Sequence, residues 1–122
     1  MRAADRVAEA LGMDVLECAR GRATVRMRIG PDMVNGHAIA HGGYVFLLAD
    51  TAFAYACNSY GPATVAAGAD ITFVAPATEG DLLEATAREV TRFGRSGLYD
   101  VTVRRDGALI AEFRGRSRTV GA

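Results

Sequence analysis

Along "RATVRMRIG" the apolar residues Ala23, Val25, Met27 and Ile29 alternate with Arg22, Thr24, Arg26 and Arg28. This is the two-residue period of a strand with one buried face. The preceding "MDVLECARG" reads as its hairpin partner, with a turn near Gly21. Further upstream, "RAADRVAEALG" carries alanine, valine and leucine at helical intervals and stops at Gly12, which predicts a short amphipathic N-terminal helix. In the second half of the chain three long segments alternate, "TVAAGADITFVAP", "LLEATAREVTRFG" and "LYDVTVRR", and a fourth, "LIAEFRGRSRTV", follows the turn "RDGA". The first of these puts Val65, Ala67, Ala69, Ile71 and Phe73 on one face, and the last sets Leu109, Ala111 and Phe113 against Glu112, Arg114, Arg116 and Arg118. No linker, repeat or low-complexity stretch interrupts the series.

Between the two sets of strands lies "NGHAIAHGGYVFLLADTAFAYACN", where the period changes. From Gly43 to Cys57 the polar groups are Asp50, the Thr51 hydroxyl and the tips of Tyr44 and Tyr55. A helix that is apolar all round is a buried helix. Six antiparallel strands and one such helix predict an α+β fold in which a curved sheet wraps around the helix. One sheet leaves part of the helix bare, so a second copy of the chain is expected as its cover. At 122 residues with half of them apolar, residues 1–122 are expected to form a single domain.

Charge narrows the function classes. Cations and anions balance at 14 each, which removes a global electrostatic case for nucleic acid or a membrane surface. All 14 cations are arginine, so Schiff-base chemistry and a lysine-bearing phosphate loop are excluded, while arginine remains well suited to phosphate. Cys18 and Cys57 make no metal or redox spacing, and the start of the chain lacks the basic and apolar pattern of a secretory leader. A cytoplasmic protein with free thiols is expected. The apolar run around Asp50 is shorter than the ~20 residues that span a bilayer.

Asp50 is the residue this pattern does not explain. An ionised carboxylate in an apolar setting is costly unless it is paired or put to use. The helix begins at "HGG", and a helix start offers unpaired N–H groups and partial positive charge. Glycines there let a ligand oxygen approach the backbone, as in an oxyanion hole. A carbonyl held between the Gly42 N–H of one copy and the Asp50 carboxylate of another would suit acyl transfer to water. Plainer readings stand beside this one: "HGG" as a tight helix start, Asp50 as the partner of a buried arginine, Asn35 as a turn residue before Gly36, and Arg114, Arg116 and Arg118 as a solvated strand face. His37 and His41 lie four apart but lack a placed third ligand, so no metal is expected. "GRSG" lacks the G-x-S-x-G order, so Ser96 is not an elbow nucleophile.

Taken with "ITFVAP", "RSGLYDVTV" and "FRGRS", the N-x(5)-H-G-G-x(6)-D spacing from Asn35 to Asp50 resembles the hotdog-fold acyl-CoA thioesterases of the phenylacetic acid degradation type, over nearly the whole chain. The resemblance implies that Asp50 is the general base or nucleophile and that the Gly42 amide polarises the thioester carbonyl. It also implies that Asn35 positions water or the carbonyl and that His41 supports the loop. Ala66 departs from relatives that carry a hydroxyl near the water. By the same resemblance the acyl-CoA lies in a groove between two subunits of a dimer, or of a dimer of dimers. Gly43, Phe46 and Leu47 would then line the groove, and Arg95, Ser96 and Arg114 would lie near the nucleotide. Phe46, Leu47, Phe53 and Ala54 flank Asp50 by about a turn and are apolar, which suits phenylacetyl-CoA or its ring-hydroxylated forms. The chemistry calls for no cofactor. The rival functions are a hotdog hydratase or dehydratase, and a non-catalytic acyl-CoA-binding protein.

Overall fold

The computed structural model describes residues 5–121. The first alternating pair forms the expected hairpin, β1 (Asp14–Ala19) and β2 (Arg22–Arg28), with Ala19 opposite Arg22 across a turn whose Gly21 has φ 72°. After α2 (Gly42–Cys57) come β3 (Thr64–Phe73), β4 (Leu82–Phe93), β5 (Ser96–Arg105) and β6 (Ala108–Thr119). Asp106 and Gly107 join the last two strands with φ values of 49° and 84°, the two left-handed residues that a two-residue hairpin loop of this twist requires. All pairings are antiparallel, in the order β1-β2-β4-β5-β6-β3, so β1 and β3 are the edges.

The alternation read from the sequence decides the two faces. Ala23, Val25 and Met27, then Leu83, Ala85 and Ala87, then Val101 and Val103, are buried on the inner face. The outer face carries a polar ladder: Arg88 donates to the Thr102 hydroxyl, which donates to Glu112, and Arg114 and Arg116 pair with Asp100 and Asp70. Irregularities interrupt the register in β1, β3, β4 and at the β5–β6 pair. Each adds local bend and twist, which lets the sheet curl around α2.

The helix touches all six strands. Leu48, Ala52 and Ala56 are fully buried, and the Phe53 ring lies 5.7 Å from the ring centres of both Tyr99 and Phe113. Gly115 on β6 makes room for it, since a Cβ there would meet the Phe53 ring at 2.7 Å. Gly43, Phe46, Leu47, Asp50 and Ala54 remain partly or fully open. Their spacing of three and four marks one face of the helix. The sheet therefore covers α2 on most sides and leaves one stripe bare.

Three expectations need adjustment, one of them on β6, where a slip leaves Ile110 as an extra residue and sets Leu109 opposite Arg104, on the other face from Ala111 and Phe113. The N-terminal helix is the single turn α1 (Arg6–Ala10), N-capped by Asp5, whose carboxylate accepts the Ala8 N–H at 3.0 Å, and Gly12 follows it with φ 68°; residues 2–4 of the predicted helix lie outside the described residues. On β3 the predicted common face is broken. Val65 pairs with Arg118 but Ala69 pairs with Gly115, which points the other way, because the register slips between Ala66 and Gly68 and leaves Ala67 as an extra residue. Period-two reading cannot see such a bulge, since one inserted residue exchanges the faces.

Candidate active site

The approach to α2 is a tight loop organised by Asn35. Its Oδ1 accepts the N–H groups of His37 at 2.9 Å and Ile39 at 3.3 Å, and its backbone exchanges bonds with Ile39 and Ala38. Ala38 takes φ 61° at the bend, and short bridges join Val34 to Ala40 and Ile39 to Thr78. The loop delivers His41, whose N–H bonds the Met33 carbonyl at 2.7 Å, as the N-cap of α2 with extended backbone. Asn35 thus fills the turn role, while its Nδ2 has no bond among the described residues. The His41 side chain is exposed and makes no capping bond.

The helix start therefore depends on its glycines. Among the described residues, no acceptor takes the Gly42 or Gly43 amide. Those are orphan donors of the first turn. The Gly42 position is closely confined: a Cβ there would stand 2.9 Å from Cζ of Phe73. Around it Ile39, Ala40, Val45, Phe73, Val74 and Pro76 form an apolar recess of about 450 Å³.

Asp50 opens on a different groove, about 630 Å³ between α2 and the start of β3, with Phe53, Ala54, Asn58, Val65 and Ala66 in its wall. No arginine or other donor pairs with its carboxylate among the described residues. Within the described residues of one chain, Asp50 is therefore not the partner of an arginine. Desolvation raises its pKa above the ordinary 3.8, and the negative charge of Asp5 adds to the rise. The neighbouring Cys57 thiol is pushed up to about 12, first by burial, so it is no thiolate nucleophile at neutral pH. Asn58 holds the groove together. Its Nδ2 donates to the Ala54 and Thr64 carbonyls at 2.9 and 3.0 Å, and its Oδ1 accepts the Thr64 N–H at 3.0 Å.

Within one chain, then, Asn35 and His41 belong to the one loop that leads into Gly42, and Asp50 stands apart. Eight helical steps separate Gly42 from Asp50, a rise of ~12 Å, and the two open on different recesses. That is too far for one carbonyl group to reach both. Phe46 is half-buried with its ring 5.3 Å from that of Phe113, and Leu47 lies beside it on the bare stripe. Gly43 is exposed at the head of the same stripe.

Arg95 and Ser96 line a third cavity of about 220 Å³ with Arg92, Tyr60, Tyr99 and Ser117; it shares Cys57 and Thr64 with the Asp50 groove. The Arg95 guanidinium donates to the Thr119 carbonyl at 3.2 Å. Arg114 is placed elsewhere. It forms a two-pronged pair with Asp100 at 2.7 and 2.9 Å on the outer face, which depresses the Asp100 pKa, and so it is committed to the sheet. The sequence reading did not single out Phe73, Asn58 or Arg92. Phe73 counted only as a strand-face residue, and its contact with Gly42 spans 31 positions, beyond any local period.

An antiparallel six-stranded sheet rolled around one long apolar helix is the hotdog fold. Residues 37–111 match the Thioesterase superfamily, and the chain belongs to it. The acyl-coenzyme A thioesterase PaaI of Escherichia coli K12 is 45% identical over 118 residues, covering 96% of this chain and 84% of that protein. The structure of the E. coli PaaI protein from the phenylacetic acid degradation operon superposes with a TM-score of 0.97 at 43% identity, over 100% of this chain and 89% of that one. A mutant structure of the phenylacetic acid degradation protein PaaI from Thermus thermophilus gives 0.92 at 39% identity, over 95% of this chain and 100% of that one. No helix among the described residues is long and apolar enough to cross a membrane.

Proposed function

We propose that the protein hydrolyses arylacetyl-CoA thioesters, phenylacetyl-CoA and its ring-hydroxylated forms first among them, at sites shared by two copies of the chain. The observation that carries this reading is the unpaired Asp50 carboxylate, held above its ordinary pKa in a groove walled largely by apolar groups. The bare stripe through Gly43, Leu47, Asp50 and Ala54 is the face a second copy would cover. A twofold axis running α2 against its mate would carry the Gly42 amide of one copy toward Asp50 of the other. Further pairing into a tetramer is part of the same reading.

In such a site Asp50 takes a proton from water as the water oxygen attacks the thioester carbon, or attacks that carbon itself. The carbonyl oxygen gains negative charge and is held by the Gly42 N–H. On the water route, collapse of the tetrahedral species breaks the C–S bond, the thiol leaves with the proton that Asp50 took, and the free acid remains. On the direct route, collapse leaves a mixed anhydride on Asp50 and a thiolate; water then cleaves the anhydride, giving the free acid, restoring the Asp50 carboxylate and supplying the thiol proton. Asn35 Nδ2 is the donor available to orient the carbonyl or the water, and His41 holds the loop. Arg95 and Ser96, beside the third cavity, are the candidates for the CoA nucleotide. Arg114 is set aside because Asp100 occupies it. The unpaired Cys18 and Cys57 suit a reducing, cytoplasmic setting.

The test is a hydrolysis panel of aryl and aliphatic acyl-CoAs followed by thiol release. Phenylacetyl-CoA and its hydroxylated forms should give the highest kcat/KM. A higher value for acetyl-CoA or succinyl-CoA would overturn the substrate assignment, and no release from any thioester would overturn the activity.

A further inference from the structure

The contact between Phe73 and Gly42 gives the helix-start glycine a specific reason to be glycine. Gly42 is helical and its φ asks for nothing unusual. What a side chain would meet is the Phe73 ring, which would have to shift: Cζ, Cε2 and Cε1 lie 2.9, 3.3 and 3.4 Å from where a Cβ would be. At Gly43 the nearest atom, Nδ1 of His41, is 4.0 Å away. The tip of the ring thus fills the place of the missing side chain, while 53% of the residue stays exposed. The rest of the recess, Ile39, Ala40, Val45, Val74 and Pro76, brings no polar side chain to the amide.

The Gly42 N–H has no acceptor among the described residues, and the Phe73 ring packs against the backbone that carries it. A donor held in place before the reaction costs no reorganisation when charge develops beside it. We propose that Phe73 is a positioning residue for the oxyanion site: its ring braces the Gly42 backbone and holds that amide where charge develops on the thioester oxygen. The proposal rests on the hydrolase reading above. It ties the residue to the transition state and not to the acyl group, so its loss should be felt alike by every acyl-CoA.

The experiment compares wild type, Phe73→Ala, Phe73→Leu, Gly42→Ala and the double variant Gly42→Ala/Phe73→Ala. Each is assayed on acetyl-CoA and phenylacetyl-CoA, with Asp50→Asn run alongside and folding checked by circular dichroism. Partial loss of an oxyanion donor should lower kcat of Phe73→Ala about tenfold on both substrates, with KM within about twofold, and Phe73→Leu should recover most of it. Gly42→Ala should displace the ring and fall to a similar level. The double variant should then be no worse than Phe73→Ala, because the two changes remove the same feature. An unchanged kcat with KM raised for the aryl substrate alone would make Phe73 an acyl-pocket wall and overturn the proposal. So would a double variant whose loss is the product of the single losses. If Asp50→Asn keeps turnover, the hydrolase reading falls and this proposal with it; if Asp50→Asn is inactive while the Phe73 variants match wild type, this proposal alone falls.

Discussion

Two demands compete at Asp50. Burial favours its neutral form, as the raised pKa shows, whereas a base or nucleophile must be ionised. The sign of the linkage follows. A carboxyl whose folded pKa lies above its unfolded value contributes stability below the unfolded pKa, and that contribution is lost as pH rises through the folded pKa. Above the raised pKa the ionised Asp50 therefore weakens the fold. Asp50→Asn should lower turnover by roughly 10²-fold or more, the scale of a lost general base, while its melting temperature at pH 7 is equal to or above that of wild type. The gap in melting temperature should close as the pH falls below the raised Asp50 pKa, and the wild-type rate should decline over that same range. A fall in melting temperature with activity retained would make Asp50 a structural residue. The isolation of this carboxylate was legible because a single charge in an apolar run violates the burial rule. Phe73 was not legible, because it breaks no local rule and acts only on a residue far away in the chain.

The helix and the strand edges divide at the scale of elements in the same way. Every face of α2 is apolar, so sequence alone says that it is buried but not which residues meet the sheet. The structure separates the adjacent Leu48 and Leu47: Leu48 is fully covered and Leu47 lies on the bare stripe. Leu48→Ala should lower the unfolding free energy by ~2–5 kcal/mol, the range for an aliphatic side chain removed from a closed core. Urea unfolding monitored by circular dichroism checks this, with the slope unchanged; a loss under about 1 kcal/mol would mean that the site collapses around the vacancy. The six strands were readable because each alternates for at least a few residues. The faces of β3 were not, because the extra residue at Ala67 shifts the phase in mid-strand and sends Val65 to the side of Arg118. The slip lies beside Ala66 in the wall of the Asp50 groove. The least regular part of that strand is therefore the part nearest the proposed chemistry.

For the whole molecule the decisive fact is a distance. Gly42 and Asp50 lie on one helix ~12 Å apart along its axis, so no single chain can put both on one carbonyl group. The sequence carried both residues and their spacing, but spacing along a helix is also a statement of separation. Only a second copy, with its helix running the other way, can make the two ends of the motif meet. This can be tested with two inactive variants. Asp50→Asn removes the base. Gly42→Pro removes the amide hydrogen at the first helical position, where the backbone suits proline and His41 already has the extended conformation that precedes one (φ −62°, ψ 132°), and its Cβ displaces the Phe73 ring as in Gly42→Ala. Each variant alone should be nearly inactive. When the two are unfolded together and refolded in equal amounts, half of the dimers should be mixed. Each mixed dimer holds one site with an intact Gly42 from one chain and an intact Asp50 from the other, so activity should return to about a quarter of wild type. Sedimentation should show dimers or larger in every sample. If each chain carries its own complete site, no mixture can recover activity, and a mixture as inactive as its parents, with mixed dimers demonstrated by differently tagged chains, would overturn the shared-site arrangement.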